Sequence, residues 1–412
     1  RRSDRAGGPR LMAGQRREDR LWQAGFLVGS ALGAAVTVLG RRAERSARRG
    51  LIDWTRAEAV AIGRLRKVPG ALDPAELGRS EAAYAAAMAV VVPRLAEALG
   101  TELPGIVERV GVVDRAGWVR ANAASFADLI GRLEGKLLDQ VVPAGGGLVP
   151  ATMAIANRWV TTHQIGYLLG FMGARVLGQY DLALLAAETT PGRLLFVEEN
   201  IRQTARLLDV PLDPFRTWIA LHETTHAFEF EAHPWLRPYL ANRLERQLNA
   251  FSSGAATLTR DGLKRFGRSL RGEGGAESWM ERLMDPEQRR LFRETQAVMS
   301  LLEGFSDYVM DEYGRDLVPG VEQISQRFHA RRDQKKTGVE RAVMRLIGMD
   351  LKMEQYRKGE RFVAAIAQAG GPTALNRLWE GPESLPRDGE IEAPERWLAR
   401  VIGSAPEAGP ER

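Results

Sequence analysis

The stretch LHETTHAFEFEAHPWLRPYL, residues 221 to 240, holds three of the chain's five histidines, and Glu223 lies between the first two. A helix is predicted across its first half. On that helix Phe215, Ile219, His222 and His226 follow steps of four, three and four residues, so they share one face. Because the first two are apolar, the two histidines are expected to face the core.

The spacing of these histidines is typical of a metal site. Histidines one turn apart can place both ring nitrogens on one zinc ion at about 2.0–2.1 Å. Glu223 lies between His222 and His226, where it can act as general base toward zinc-activated water in the H-E-x-x-H mechanism. The longer pattern H-E-x-x-H-x-x-G-x-x-H is absent, because Glu229 and Ala232 occupy its glycine and third-histidine positions. The third ligand must therefore come from another part of the chain.

The ends of this helix have their own signals. Asp213 followed by Pro214 predicts its start, since an N-cap side chain precedes a proline suited to the first turn. Pro234 predicts that the helix ends before it. His233 lies beside this proline and is interpreted as a loop histidine and not as a ligand.

A second helix is predicted over ETQAVMSLLEGFSDYVMDEYG, residues 294 to 314, and it carries two acids on an apolar face. Glu303 and Asp307 lie four residues apart, on the same face as Met310. Glu303 is the candidate third ligand, and Asp307 the candidate acceptor of the remaining N–H of a ligand histidine. Gly304 is expected to let the H-E-x-x-H helix approach closely. The alternative is an ordinary buried ion pair or a pair of surface carboxylates.

A hydrolase that attacks a carbonyl also needs a group that stabilises the developing oxyanion. The candidates for this role, or for other substrate contacts, are Tyr308, His329 and Tyr356, with Tyr313 beside them. Tyr308 follows Asp307 but points off the ligand face, and His329 is expected at a solvated helix end.

Composition limits the chemistry that is available. The chain has 412 residues and no cysteine, which excludes a cysteine zinc site, a thiol nucleophile and disulfides. Residues 1 to 50 hold twelve arginines against four acids, a net charge of +8. Because the whole chain has +6, the other 362 residues sum to −2. No nucleic-acid partner is therefore predicted.

Residues 21 to 40, LWQAGFLVGSALGAAVTVLG, form an uncharged segment inside this basic tail. Twenty such residues just span a bilayer, and Gly25, Gly29 and Gly33 repeat at a spacing that suits close helix packing. The alternative is a small-residue helix packed on the body of the protein. The expected location is cytoplasmic, with a membrane anchor through this segment as the alternative.

From residue 51 onward the pattern is mostly helical. Segments such as SEAAYAAAMAVVVPRLAEAL, residues 80 to 99, have apolar residues three and four apart. The best strand signal is GRLLFVEENI, residues 192 to 201. In VLGQYD, residues 176 to 181, Gln179 and Asp181 either contribute to a binding site or belong to a helix that ends in a polar turn. The prediction from this pattern is a mainly α fold with few short strands, in one domain over residues 51 to 405.

The H-E-T-T-H and E-G-F-S-D motifs resemble those of the glutamate-zincins. More closely, nearly the whole chain from residue 51 resembles a bacterial family of zincin-like metallopeptidases of unknown function, some labelled hydrolases or proteins associated with biosynthesis of the deazaflavin coenzyme. The stretches that carry this resemblance are VVDRAGWVRAN (112–122), VLGQYDLAL (176–184), RLLFVEENI (193–201), FRTWIALHETTH (215–226), HPWLRPYL (233–240), LLEGFSDYVMD (301–311), GMDLKMEQYRKGERFV (348–363) and LPRDGEIEAPERWLARV (385–401). The resemblance implies a mainly α, zincin-like metalloprotease core with zinc at His222, His226 and Glu303 and with Glu223 as base.

Two classes of function remain open from the sequence. The first is a zinc-dependent hydrolase, a metallopeptidase or another amide hydrolase, acting on a peptide or small amide. The second is a non-catalytic zinc-containing scaffold or binding protein linked to coenzyme metabolism.

Overall fold

The computed structural model describes residues 50–141, 148–181, 192–255, 284, 286–332, 349–387 and 389–403. The predicted tail, residues 1 to 50, and its apolar segment lie outside these ranges except for residue 50. The chain divides into two compact units, residues 1–57 with 134–165, and residues 58–133 with 166–412. All the candidate site residues lie in the second unit. The predicted single domain over residues 51 to 405 stays a prediction.

Most of the described chain is α-helical, as the periodicity predicts. The helices are α1 (Trp54–Leu65), α2 (Pro74–Leu99), α3 (Arg115–Val141), α4 (Leu148–Gly173), α5 (Glu198–Leu208), α6 (Leu212–Glu231), α7 (Leu236–Ala255), α8 (Pro286–Leu317), α9 (Val321–Arg332), α10 (Met349–Arg377) and α11 (Pro394–Val401). A short 3-10 turn, Val107–Arg109, precedes the first strand. The predicted mainly α architecture is therefore confirmed.

Three short strands form one small sheet among the described residues: β1 (Val110–Val113), β2 (Gly178–Asp181) and β3 (Arg193–Val197). Their order is β1-β3-β2, with β3 parallel to β1 and antiparallel to β2. The prediction of a strand near residues 192 to 201 is confirmed, but it ends at Val197, where α5 begins. The helical alternative for residues 176 to 181 is wrong, because β2 pairs there with β3.

Helix α6 lies at the centre of the second unit. It packs against α2, α8 and the sheet, and its residues are buried on nearly every side. The predicted N-cap differs slightly from the structure: the helix begins at Leu212, with Pro211 at the cap and no side-chain capping bond. Asp213 lies in the first turn, where its carboxylate accepts a 2.6 Å hydrogen bond from Arg216.

A buried carboxylate fixes α6 relative to α2 and α5. Glu198, at the start of α5, is fully buried and accepts hydrogen bonds from Arg216 of α6, from Arg202 at 2.6 Å and from Tyr84 of α2 at 2.8 Å. Burial alone would raise the pKa of Glu198, but these donors outweigh it and the pKa is lowered. The charge is therefore retained, and three helices meet at one ion-pair network.

Helices α8 and α10 cross in backbone contact. A Cβ added to Gly359 would lie 1.8 Å from the Ser300 carbonyl oxygen, and one added to Gly304 would lie 2.2 Å from the Gly359 carbonyl carbon. Only glycine fits at such a crossing. The expectation that Gly304 admits the H-E-x-x-H helix is therefore wrong, because the helix it admits is α10.

Among the described residues, α2 alone is long and apolar enough to cross a bilayer by length and composition. This is weak evidence for a membrane, because a core helix passes the same test. Tyr84, Met88, Val91 and Leu95 of α2 are indeed buried in the core. Its ends are also marked as in ordinary globular helices, by a capping box at Asp73 and a left-handed glycine at the C-terminus.

Candidate metal centre

Helices α6 and α8 bring two histidines and one glutamate together. One ligand atom from each of His222, His226 and Glu303 lies within 4.8 Å of the other two. The His222 Nε2 atom is 3.8 Å from a carboxylate oxygen of Glu303. Ligands of one tetrahedral zinc ion at about 2.0–2.1 Å lie roughly 3.4 Å apart, so small side-chain rotations would close this group on a metal. Two imidazoles and a carboxylate are the donors that zinc takes in catalytic sites.

The two histidine rings meet edge to face. Their centroids are 4.8 Å apart, with an 82° angle between the ring planes. This follows from their four-residue spacing, which places both side chains on one face of α6. The His226 Nδ1 atom lies 2.8 Å from Glu229 Oε2, so Nε2 of His226 is the nitrogen left for a metal.

Side chains of α8 lie next to the Nδ1 atom of His222. The Met310 sulfur is 3.0 Å from this nitrogen, and the Asp307 Oδ1 atom is 3.8 Å away. Asp307 therefore lies near the ring of His222, and its role as the acceptor of a ligand histidine stays a prediction. Its separation exceeds hydrogen-bond range in this conformation, and Met310 is the closer group.

Glu223 lies directly beneath strand β2. It is buried, and a Cβ added to Gly178 would lie 2.6 Å from both Cγ and Oε1 of Glu223. The backbone N–H of Tyr180, two residues along the strand, donates to its carboxylate. Glycine at position 178 is thus what allows the strand to cover this carboxylate.

The carboxyl of Glu223 is tuned by burial and by its neighbours. Burial raises its pKa, and the charge of Glu303 raises it further, while His226 and the Tyr180 N–H lower it, to a net pKa of about 7. A base in this range can both accept and release a proton near neutral pH.

The His226 ring is surrounded by buried or partly buried glutamate side chains. Burial lowers its pKa, but Glu229, Glu303 and Glu223 outweigh this and raise it to about 10. Burial raises the pKa of Glu229 to about 7 against the opposing effect of His226. Without a metal the imidazole therefore holds its proton. Binding of zinc at His226 requires that proton to leave.

The candidates for oxyanion contact stay predictions. Tyr308 lies on α8, where burial and then the neighbouring Glu312 and Tyr313 raise the pKa of its hydroxyl. His329 lies on α9, where its Nδ1 is 3.2 Å from Ser325 Oγ. Tyr356 belongs to α10, but its side chain lies outside the described part of the structure.

His233 lies in the loop after α6, as its position beside proline indicates. Its Nδ1 donates to the Glu229 carbonyl oxygen at 2.9 Å, and its ring stacks on Trp379 at 5.1 Å. Burial lowers its pKa. These contacts indicate that His233 has a packing role and is not part of the group formed by His222, His226 and Glu303.

Sequence reasoning missed the groups that surround the ligand atoms. Glu229 was considered only as a departure from a longer motif, and Met310, Ser306 and Gly178 were given no role at the site. Glu229 follows His226 by three residues on the same helix, and this spacing alone indicates that the two side chains can interact. Nothing local in VLGQYD indicates that it covers Glu223.

The comparisons with known proteins agree with this architecture. The family model for zincin-like metallopeptidases matches residues 52–398, so the chain belongs to that family. A solved structure described as "a putative hydrolase with a novel fold from Chloroflexus aurantiacus" is 35% identical, with a TM-score of 0.62, and the alignment covers 85% of this chain and 99% of that one. The search of curated proteins gave no match. Neither match bears on the deazaflavin coenzyme, so that association stays a prediction.

Proposed function

We propose that this protein is a zinc-dependent hydrolase that cleaves a peptide bond, with His222, His226 and Glu303 as the metal ligands and Glu223 as the general base. The observation that carries the proposal is the convergence of those three donors beside a buried carboxylate. Family membership supports a metallopeptidase in general. Bound zinc would supply Lewis-acid polarisation of the scissile carbonyl and would acidify the attacking water.

The role of Glu223 follows from its position beside the candidate ligands. It accepts a proton from the attacking water at one carboxylate oxygen. It then gives that proton to the leaving nitrogen. The Tyr180 N–H holds the carboxylate in place, and the cover of β2 excludes bulk water from it.

Strand β2 favours a peptide over a small amide as substrate. The Leu177 carbonyl accepts from the Val197 N–H at 2.8 Å, so odd-numbered residues of this strand bond to β3. The even-numbered Gly178 and Tyr180 therefore direct their backbone groups to the other edge, the side of Glu223. Among the described residues no strand pairs with that edge. The Tyr180 N–H is already bonded to Glu223, so an extended peptide would add to the other backbone groups of this edge through main-chain hydrogen bonds.

The test combines metal analysis with one isosteric substitution. Purified protein is expected to contain about one zinc per chain, and Glu223→Gln is expected to keep the metal while losing hydrolysis of a peptide library by about 10²–10⁴-fold. Glu97→Gln, an exposed change on α2, is the matched control. Absence of zinc, with His226→Ala leaving thermal stability unchanged, would refute the site. Zinc without activity that depends on Glu223 would instead favour the non-catalytic scaffold.

A further inference from the structure

The buried carboxylate of Glu229 has no role in the mechanism above. It lies one turn after His226 on α6 and its side chain is 0% exposed. The Oε1 atom is buried and has no hydrogen-bond partner among the described residues, while Oε2 lies 2.8 Å from His226 Nδ1. A buried acid with one unpaired oxygen is costly. The interaction with His226 must therefore compensate for part of that cost.

We propose that Glu229 is the positioning residue of the metal ligand His226. By accepting the N–H at Nδ1, it fixes the tautomer in which Nε2 carries the lone pair, and it fixes the orientation of the ring. This inference rests on the proposed function, because it assumes that His226 binds the metal.

A serine on the neighbouring helix supports the same arrangement. Ser306 Oγ lies 3.2 Å from His226 Nδ1, and its hydroxyl also bonds to the Glu229 carboxylate. Ser306 is fully buried on α8, three residues after Glu303. Helix α8 therefore contributes both the candidate ligand Glu303 and the Ser306 hydroxyl near Nδ1 of His226. The ring of His226 is contacted by Glu229 from α6 and by Ser306 from α8.

The two candidate histidine ligands differ in this respect. His226 has a carboxylate oxygen at 2.8 Å from Nδ1, whereas His222 has a thioether sulfur at 3.0 Å and a carboxylate oxygen at 3.8 Å. A charged acceptor at short distance orients an imidazole more strongly than a thioether does. We therefore expect metal affinity to depend more on Glu229 than on Asp307.

The experiment measures zinc affinity of metal-free protein by competition with a chromophoric chelator. Glu229→Ala is expected to weaken zinc binding by about 10- to 100-fold. Glu229→Gln keeps an acceptor oxygen of the same shape, and it is expected to recover most of that loss. Glu231→Gln is the control, because this residue ends the same helix but bonds to Arg109 and Tyr180. Affinity of the control should match the wild type.

A spectroscopic measurement reports on the ring itself. Long-range proton–nitrogen correlation spectra are tractable because the chain has five histidines. In the zinc-loaded wild type, His226 is expected to be protonated at Nδ1 and metal-bound at Nε2. In Glu229→Gln that tautomer should persist, which keeps the idea testable should Glu229→Ala fail to fold.

The outcomes separate this inference from the proposed function. If wild-type protein binds no zinc, the proposed function fails and the inference with it. If zinc binds and hydrolysis depends on Glu223, but Glu229→Ala binds zinc as tightly as wild type, only the inference is overturned. A zinc-loaded His226 without a proton on Nδ1 would overturn it as well.

Discussion

At the scale of single residues, the site depends on how closely strand β2 lies on Glu223. The carboxylate is placed by a main-chain donor and by the missing side chain at position 178. A general base must lie within hydrogen-bond reach of the proton it takes, so its position matters as much as its pKa. Gly178 is therefore expected to matter for activity although it has no functional group.

Gly178→Ala is expected to lower kcat/KM by about 10²-fold, because misplacing a reacting group by roughly 1 Å costs about that much. The new Cβ would lie 2.6 Å from Glu223 Cγ, so strand or carboxylate must move. Zinc affinity is expected to change little, because Gly178 touches none of the ligand atoms. Gly63→Ala is the control, since nothing lies within 4 Å of its added Cβ. Steady-state kinetics and zinc titration check both, and equal kinetics for the two variants would contradict the expectation.

At the scale of elements, α6 and α8 carry the candidate metal ligands, and α8 crosses α10 in backbone contact. The crossing at Gly304 and Gly359 leaves no room for a methyl group. Because Gly304 directly follows Glu303, the same crossing also determines the position of the candidate third ligand. Stability and metal binding are therefore linked at one helix contact.

Gly359→Ala is expected to lower the free energy of unfolding by about 3 kcal/mol or more, because overpacking of this kind forces backbone shifts. The added Cβ would meet the Ser300 carbonyl oxygen at 1.8 Å. Zinc affinity should fall as well, since α8 must move with Glu303. Gly78→Ala on α2 is the control, with nothing within 4 Å, and it should stabilise by up to about 1 kcal/mol through helix propensity. Denaturant titrations of both variants decide the matter, and equal midpoints would show that the crossing is tolerant.

The Glu198 network predicts a dependence of stability on pH. Its pKa is lowered in the folded chain, so the folded state holds the proton less tightly than the unfolded state. This contribution to stability is present above the ordinary carboxyl pKa and is lost as pH falls through the lowered value. Glu198→Gln is expected to cost about 3–5 kcal/mol at neutral pH, because Arg216 and Arg202 lose their buried partner. The variant should also show a smaller further loss below about pH 5.

Denaturant midpoints measured from about pH 7 down to about pH 3 check this expectation, because the loss begins near the ordinary carboxyl pKa and continues below it. The control is Glu97→Gln, whose side chain is 73% exposed beside Arg94. Exposed pairs of this kind contribute between zero and about 1 kcal/mol. A variant at Glu198 that kept the same slope as wild type would show that another group carries the acid sensitivity.

The elements also show which parts of the fold follow from local sequence. The periodicity of α6 and α8 is local, so both helices and the spacing of His222 and His226 are predictable. Strand β2 is four residues long and exists because it pairs with β3, so its sequence alone is ambiguous. The partner of Gly304 and the hydrogen bond of Glu229 depend on which helices meet and on side-chain rotamers, which no spacing rule specifies.

At the scale of the whole molecule, charge is divided unevenly along the chain. The first 50 residues carry +8 and the remainder −2. A metallopeptidase core with a slightly acidic body gains no attraction for anionic surfaces, whereas an arginine-rich tail gains roughly 1 kcal/mol for each basic residue close to such a surface. Association with anionic surfaces is therefore expected to be a property of the tail alone.

Deletion of residues 1 to 50 is expected to abolish binding to vesicles that contain phosphatidylserine, while zinc content and peptide hydrolysis remain. The full chain should co-sediment with such vesicles at low salt. If the arginines alone bind the vesicles, high salt should release the full chain from them, because salt screens interactions between surface charges. Retention at high salt would instead show that the uncharged segment, residues 21 to 40, inserts into the bilayer. Vesicle binding by the shortened chain would contradict the expectation and would place the contact on the body of the protein.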